Sequence, residues 1–357
     1  MVGYTMFLGL REIRHAAGRF SLICAVVALI TLLLIMLSGL TAGLAKENTA
    51  ALENLEADQI IFDTPRNKVG FTDSLVDQAD LDYWREVPGV TEVEALGIAM
   101  TRVEGEDTEA QAVALFAEPG IEGAELPASV AEFLNLHTGD EVIIGGKALK
   151  VSGTDARNGT YSHLPVIVVD RSVWQQLYFT DALGTVLVAH GDLEEEEWTV
   201  AAQRAAEEGI GSSTAVTTRG AFVGLPAYGA QRSSLMTMQG FLYVISALVT
   251  ISFLTVWTIQ RSRELSVLRA LGAPKSYLLK DAISQAAIIL AVGVAIGAVL
   301  ALILGSLAQR GAVPFNLNWV TVVGPVIGTW VLGVLGAVIA TRSINKLDPL
   351  TALGGTA

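Results

Sequence analysis

The sequence predicts a membrane protein with four transmembrane helices and a large α+β extracellular domain inserted between the first helix and the second. Residues 20–45, 233–260, 282–309 and 311–341 contain no charged side chain. Each stretch is longer than the roughly 20 residues that cross the hydrocarbon core of a bilayer. The long segment between the first stretch and the second is rich in acidic residues, which is typical of a domain that faces water.

The distribution of charge predicts the side of the membrane on which each segment lies. Residues 45–235 carry 12 Lys and Arg against 32 Asp and Glu, whereas the segments next to the spans are basic. Five basic residues lie between positions 261 and 280, and others precede the first span and follow the last. Loops rich in Lys and Arg stay on the cytoplasmic side. We therefore expect a multi-pass protein of the cell membrane with both termini in the cytoplasm.

The uncharged stretches also set the predicted domain boundaries. The first is too long for the apolar region of a typical signal peptide, so we expect it to remain as an anchor. The predicted order is a cytoplasmic interfacial helix at 1–19, TM1 at 20–45 continuing into an external stalk, the extracellular domain at 46–232, TM2 at 233–260, a cytoplasmic coupling loop at 261–281, TM3 at 282–309, TM4 at 311–341 and a cytoplasmic tail at 342–357.

The inserted domain shows mixed helical and strand patterns. The first helix is expected to continue through Lys46 to about Glu56, because no turn signal interrupts it. Strands are predicted at 58–62 and 90–103, with helices at 73–86 and from the acidic run 194–197 to Gly209. Residues 126–170 alternate short apolar runs with Gly and Asp turns. Such spacing predicts a compact barrel-like or sandwich subdomain.

Three pairs of glycines with GxxxG spacing lie in the spans. Gly39 and Gly43 form one pair in the first span, and the third and fourth spans repeat the spacing at 293/297 and 324/328. Glycines at this spacing let two helix backbones approach closely, as at a dimer interface. Because the chain is rich in glycine, the pairs are weak evidence for any particular helix contact.

Motifs for catalysis or nucleotide binding are absent from the sequence. It contains no GxxxxGK[ST], HExxH, GxSxG or CxxC pattern, so we expect neither ATPase nor hydrolase activity from this chain alone. Its single cysteine, Cys24, excludes an intramolecular disulfide. The four histidines are scattered without metal-ligand spacing, and we interpret those outside as surface residues. They are His15, predicted inside, and His137, His163 and His190, predicted outside.

A short charged segment interrupts the apolar half of the chain. Residues 260–271 have the periodicity of a helix, with leucines on one stripe and charged side chains elsewhere. Gly272 is suited to end that helix and Pro274 to begin the next one. This predicts a stiff helical corner at the cytoplasmic face, where a partner subunit could act; a generic anchoring loop is the alternative.

The corner carries a family resemblance. Its pattern R-x-R-E-L-x-V-L-R-A-L-G-A, residues 261–273, and the terminal DPLTAL resemble the MacB and FtsX superfamily of ABC permeases, also called type VII permeases. The resemblance extends to the order of spans and domain. It implies a homodimer bound to two copies of an ABC ATPase subunit, which alone binds ATP. The contact with that subunit would be carried by Arg261, Arg263, Glu264, Leu268, Arg269 and Gly272.

Within this superfamily the chain looks most like the permeases of haem efflux pumps of Gram-positive bacteria. The residues that carry this resemblance are the segments 6–20, 39–62 and 224–231. It implies that haem is extracted from the outer leaflet of the membrane and expelled, as a means of haem detoxification. Exporters of other amphiphiles share much of the same pattern.

The haem hypothesis requires an iron ligand where the spans leave the bilayer. Glu47 is the first candidate, because a carboxylate two residues beyond an apolar span is costly unless it has a function. Carboxylate or phenolate oxygen suits ferric iron better than a thioether does. The remaining candidates for haem binding are Tyr228, Met236 and Met238, with Lys46 and Arg232 as partners of the propionates.

Alternatives exist for both the site and the function. Glu47 could be an interfacial carboxylate without a ligand role. We interpret Glu53 in this way, and the two methionines as residues that pack within the span. The protein could instead transmit motion to an external partner, as a MacB-like or FtsX-like regulator, or export another amphiphile. A membrane hydrolase is disfavoured, because no catalytic constellation can be named.

Overall fold

The computed structural model describes residues 17–64, 68–105, 108–156, 159–226, 228–260, 267, 274–311 and 313–341. The chain divides into two compact units. One comprises the segments 1–43 and 233–357, and the other runs from Leu44 to Arg232. We call them the membrane unit and the inserted unit. The division falls within the first helix, between Gly43 and Leu44.

Helices dominate the described part of the membrane unit, and the inserted unit contains both helices and strands. The helices are α1 Ala17–Glu53, α2 Gln78–Glu86, α3 Ala128–Leu134, α4 Arg171–Tyr178, α5 Glu195–Glu207, α6 Thr218–Ala221, α7 Tyr228–Gln260, α8 Lys275–Ala308 and α9 Trp319–Thr341, with a 3-10 turn at Phe222–Gly224. The strands are β1 Gln59–Phe62, β2 Val90–Glu104, β3 Gln111–Glu118, β4 Ala124–Glu125, β5 Glu141–Ile144, β6 Lys147–Gly153, β7 Thr160–Tyr161, β8 Leu164–Asp170, β9 Val186–Gly191 and β10 Thr214–Val216.

Four of these helices, α1, α7, α8 and α9, are long and apolar enough to cross a membrane. The inserted unit lies between the first and the second of them in the chain. The predicted fold class of four spanning helices with a large α+β domain after the first is therefore confirmed. As predicted, α1 runs past residue 45 without a break, and it ends at Glu53.

The membrane unit packs α1, α7, α8 and α9 around one apolar core. Ile23 and Val27 of α1 meet Trp257 of α7, Leu290 of α8 and Ala337 of α9, and all five are buried. Gly293 and Gly297 of α8 allow α8 to approach α1, since a Cβ at either position would meet the backbone of α1. This glycine pair thus serves a contact within the chain.

The glycine pair of α1 is covered by the chain itself. The fourth spanning helix begins at Trp319, not at residue 311, and the segment before it folds onto α1. Phe315 lies over Gly39, Pro314 lies over Gly43, and Asn316 N donates to Gly39 O at 3.0 Å. The suggested dimer interface at these two glycines is therefore occupied by residues 314–316.

The ten strands of the described inserted unit form two parts, and the long strand β2 belongs to both. The first half of β2 joins an antiparallel sheet of order β10-β1-β9-β2, and its second half pairs with β3. From there the order is β3-β8-β4-β6-β5, and β5 pairs back with β2 at Val103 and Glu104. These six strands close into a barrel, which is one of the two alternatives, barrel-like or sandwich, that the spacing of residues 126–170 left open; β2, β3 and β4 come from residues before that segment.

Separate apolar cores hold the two parts of the inserted unit. Leu115, Leu126 and Ile144 lie fully buried inside the barrel. Trp84 of α2 and Trp198 of α5 stack with ring centroids 5.9 Å apart on one face of the open sheet. Burial of aromatic side chains of this size contributes strongly to stability. A domain without disulfides can therefore be held by its core.

The α2 helix begins later than the sequence pattern suggested. Helix was predicted from residue 73, yet α2 begins at Gln78 because Asp77 caps it. The Asp77 carboxylate accepts from the backbone N–H groups of Ala79 and Asp80, and the Asp80 carboxylate accepts from Asp77 N. This reciprocal capping box fixes the start of the helix.

Candidate functional site

Glu47, the residue singled out as a candidate ligand, lies within a polar cluster of the inserted unit. Its carboxylate Oε2 is 3.3 Å from Nδ1 of His163. The side chains of Glu47 and His163 are 43% and 38% exposed, so both are accessible from the solvent. Asn48 and Gln231 complete the group, which we call the polar cluster: Glu47, Asn48, His163 and Gln231.

Asn48 lies at the centre of the polar cluster and is 2% exposed. Its Nδ2 donates to the backbone oxygen of Leu44 at 3.0 Å and to Oε1 of Gln231 at 3.2 Å. The same nitrogen is 2.9 Å from Nε2 of His163. The amide of Asn48 therefore connects the α1 helix, the start of α7 and the histidine in one hydrogen-bonded network.

His163 is held in place by its backbone as well as by its ring. Ser162 and His163 form the two-residue turn between β7 and β8, which pair at Tyr161 and Leu164. Ser162 N donates to Asn48 O at 3.1 Å and His163 N donates to Glu47 O at 3.2 Å. The turn is thereby bonded to the same helical residues whose side chains belong to the polar cluster.

The other predicted haem residues are not gathered at this cluster. Tyr228 is 7% exposed and packs in the apolar core, its ring 6.0 Å from that of Phe222 in an edge-on arrangement. Lys46 and Arg232 are exposed neighbours in sequence of Glu47 and Gln231. Met236 and Met238 belong to the membrane unit, where they are 54% and 52% exposed.

The residues predicted to contact an ATPase lie outside the described residues. Arg261, Arg263, Glu264, Leu268, Arg269 and Gly272 all fall in this group. Flanking helices are described: α7 ends at Gln260, and α8 begins at Lys275 directly after Pro274. The start of α8 after proline agrees with the predicted helix beginning.

Sequence reasoning found Glu47 but missed its partners. His163 was interpreted as one of several scattered surface histidines; it is at the surface, yet it contacts Glu47 across 116 residues of chain. The turn that presents it has no Asn-Gly or Asp-Gly signal, because Ser and His occupy the two central positions. Only the short runs TY and LPVIVVD on either side indicated a hairpin.

The cluster offers few ligands for a bare metal ion. Among the described residues, no group of three or more His, Cys, Asp and Glu has the arrangement of a metal site. Haem differs in this respect, because its iron arrives with four porphyrin nitrogens and needs only axial ligands from the protein. The cluster holds one carboxylate, of Glu47, and one imidazole, of His163.

Comparison with known proteins defines the class. Residues 236–349 match the family model described as FtsX-like permease C-terminal. This region contains the last three spanning helices, apart from the first turns of α7. The chain is a multi-pass membrane protein, and its C-terminal third is similar to FtsX-like permeases.

More specific relatives extend over nearly the whole chain. It is 23% identical to the putative hemin transport system permease protein HrtB of Staphylococcus epidermidis, over 98% of this chain and 99% of that one. It is 22% identical, with the same coverage, to an uncharacterized ABC transporter permease of Mycobacterium bovis. Among solved structures, the extracellular domain of the ABC-type transporter YknZ from Gram-positive bacteria is similar, with 13% identity and a TM-score of 0.35, over 45% of this chain and all of that one.

Proposed function

We propose that this chain is the permease subunit of an ABC efflux pump that extracts haem from the outer leaflet of the membrane and expels it. The observation that carries the proposal is the similarity, over almost the full length, to a permease whose name assigns it to hemin transport. The FtsX-like domain at residues 236–349 supports the class of machine. Haem is the cargo of this pump and is released after each cycle.

The polar cluster supports the choice of cargo. Glu47 follows the uncharged part of α1, where a flat apolar ligand with one metal centre would meet water. Its carboxylate oxygen would bind ferric iron, which favours oxygen donors. The exposed Lys46 and Arg232 would pair with the two propionates. Tyr228, Met236 and Met238 remain further candidates, with Tyr228 requiring a change in its buried packing to reach a ligand.

The energy for export would come from a separate subunit. The permease would work as a homodimer with two copies of an HrtA-like ABC ATPase, which binds the ATP. The segment 261–276 would be the contact through which nucleotide state reaches the spans. Both termini would be cytoplasmic and the inserted unit extracellular, because the basic residues of the chain flank the spans on one side. The host would be a Gram-positive bacterium.

A second candidate function is supported by the shape of α1. This helix has 37 residues, and its last turns join the apolar core of the inserted unit through Ala51 and Leu52. A helix continuous from span to domain is a suitable lever for transmitting motion. In that case the chain would regulate an external protein, or export another amphiphile, and would bind no haem.

The decisive experiment is a haem titration of the full chain purified in detergent together with its ATPase subunit. Absorption spectra and ATP hydrolysis are recorded together. We expect a saturable, stoichiometric Soret shift, an increase in the rate of ATP hydrolysis and loss of the shift in Glu47→Ala, because the variant lacks the oxygen ligand. Glu53→Ala is the matched control, since Glu53 is an exposed glutamate on the same helix.

The outcomes separate the two functions. No Soret shift in the wild-type complex, with ATP hydrolysis intact, would reject haem transport and favour the regulator or another cargo. A Soret shift that survives in Glu47→Ala would leave haem as cargo and reject Glu47 as the ligand. Equal losses in Glu47→Ala and Glu53→Ala would mean that charge on the helix, not ligation, supports binding.

A further inference from the structure

We infer that His163 is a positioning residue for the Glu47 carboxylate, holding it in the orientation in which it meets the haem iron. This inference rests on the proposed function and adds to it a residue that neither the sequence pattern nor the relatives identify. The 3.3 Å contact between His163 Nδ1 and Glu47 Oε2 is its geometric basis.

The surroundings of the imidazole assign its proton. Asn48 Nδ2 lies within hydrogen-bond distance of two oxygens, Leu44 O and Gln231 Oε1, so this end of the amide is the NH₂ donor. The same nitrogen lies 2.9 Å from His163 Nε2, and Gln231 Oε1 lies 3.4 Å from Nε2, so the neighbours of Nε2 include one donor and one acceptor. The nitrogen that faces Glu47 is Nδ1, and since a carboxylate accepts hydrogen bonds, Nδ1 carries the proton of this contact. The histidine donates to the carboxylate.

This arrangement leaves the Glu47 carboxylate able to bind a metal ion while it accepts a hydrogen bond from His163. A carboxylate has two oxygens; His163 contacts Oε2, and no other described residue has a side-chain hydrogen bond to the Glu47 carboxylate, so Oε1 can meet a ligand. Groups that hydrogen-bond to a metal ligand fix its orientation, and their loss typically lowers metal affinity by about 10–100-fold. Because Glu47 is 43% exposed, its side chain would otherwise sample several rotamers.

The backbone of the turn gives a second, independent observation. Ser162 has φ 51° and His163 has φ 66°, so two consecutive residues with side chains adopt the left-handed conformation. Turns of this type strongly prefer Asn-Gly or Gly-Gly, since glycine and asparagine adopt that conformation at low cost. The left-handed conformation costs His163 some stability relative to glycine, and the contacts of its ring with Glu47 and Asn48 hold it there.

The strained position provides a matched pair of variants. Both glycine and asparagine relieve the backbone, so His163→Gly and His163→Asn should unfold at the wild-type temperature or above it. They differ in the side chain: asparagine keeps an N–H donor near the place of Nδ1, and glycine removes it. His137→Asn is the control for the asparagine variant, because His137 is 82% exposed and its ion pair is with Asp140, three residues away.

The test is hemin titration of the full chain in detergent, with apparent Kd and the ferric absorption spectrum as readouts. We expect His163→Gly to weaken hemin binding about tenfold while its unfolding temperature does not fall. His163→Asn and His137→Asn should bind hemin nearly as wild type, with the wild-type spectrum.

Each alternative gives a different result. If His163 itself ligates the iron, His163→Asn loses affinity as His163→Gly does and the ferric spectrum changes, which overturns the inference. Unchanged binding in His163→Gly overturns it as well and leaves the proposed function standing. If the wild-type chain binds no hemin, the proposed function and this inference fail together.

Discussion

Two neighbouring segments of α1 use the same helix in opposite ways. Gly39 and Gly43 carry no side chain, and residues 314–316 lie directly on their backbone within the membrane unit. Glu47 and Asn48, one turn further, carry polar side chains that bond to a hairpin and to α7 within the inserted unit. The first segment is specified by close packing, and the second by hydrogen bonds. The two should therefore respond to different kinds of substitution.

The largest effect is expected at Gly43. A Cβ added there would lie 2.7 Å from the backbone nitrogen of Phe315 and even closer to the Pro314 carbonyl. Backbone cannot move aside as a side chain can, so Gly43→Ala should destabilise the protein by about 3 kcal/mol. The measurement is the apparent unfolding temperature of the purified chain in detergent. Gly324→Ala is the matched control, because open space surrounds that helical glycine.

At Gly324 the same substitution should be neutral or stabilising by up to about 1 kcal/mol, since alanine favours a helix over glycine. Equal behaviour of the two variants would show that residues 314–316 do not press on α1. The segment at Gly39 and Gly43 would then not be specified by close packing.

A smaller effect is expected at Gly39, where the obstacle is a side chain. A Cβ there would lie 2.8 Å from two ring carbons of Phe315, which is 9% exposed. The ring has some freedom to move, so Gly39→Ala should cost about 1–2 kcal/mol. Phe315→Leu should recover part of this loss in the double variant, and the unfolding temperatures of the four proteins form a double-mutant cycle. Additive losses would contradict direct contact.

The smallest of the three effects is expected in the polar segment. Asn48→Ala removes the donor shared by Gln231 Oε1 and His163 Nε2. Because both acceptors are partly open to water, the cost should be about 1 kcal/mol. Hemin affinity, measured by titration, should nevertheless fall, since His163 loses the contact that orients its ring. Unchanged affinity with reduced stability would mean that Asn48 serves the fold only.

The sequence was a reliable guide wherever a pattern is local. Uncharged stretches located all four spanning helices, and the lack of a turn signal correctly extended α1 past residue 45, although the helix was expected to reach about Glu56 and ends at Glu53. Apolar runs between turn residues predicted the barrel, although not that β2 would be shared between the barrel and the open sheet. The helix boundaries that were missed, at Gln78 and Trp319, depend on a single cap and on a contact with distant residues.

The sequence by itself determined the four spanning helices and the α+β domain inserted after the first, because span length and composition are read along the chain. It also pointed to Glu47, since a carboxylate next to an apolar span is unusual, and this can be recognised without knowing its spatial neighbours. Only the tertiary structure decided what Glu47 and Gly39 contact. His163 is 116 residues away from Glu47, and Phe315 is further still from Gly39. Such contacts arise from strand pairing and helix packing, which bring together residues whose separation in the chain carries no periodic signal.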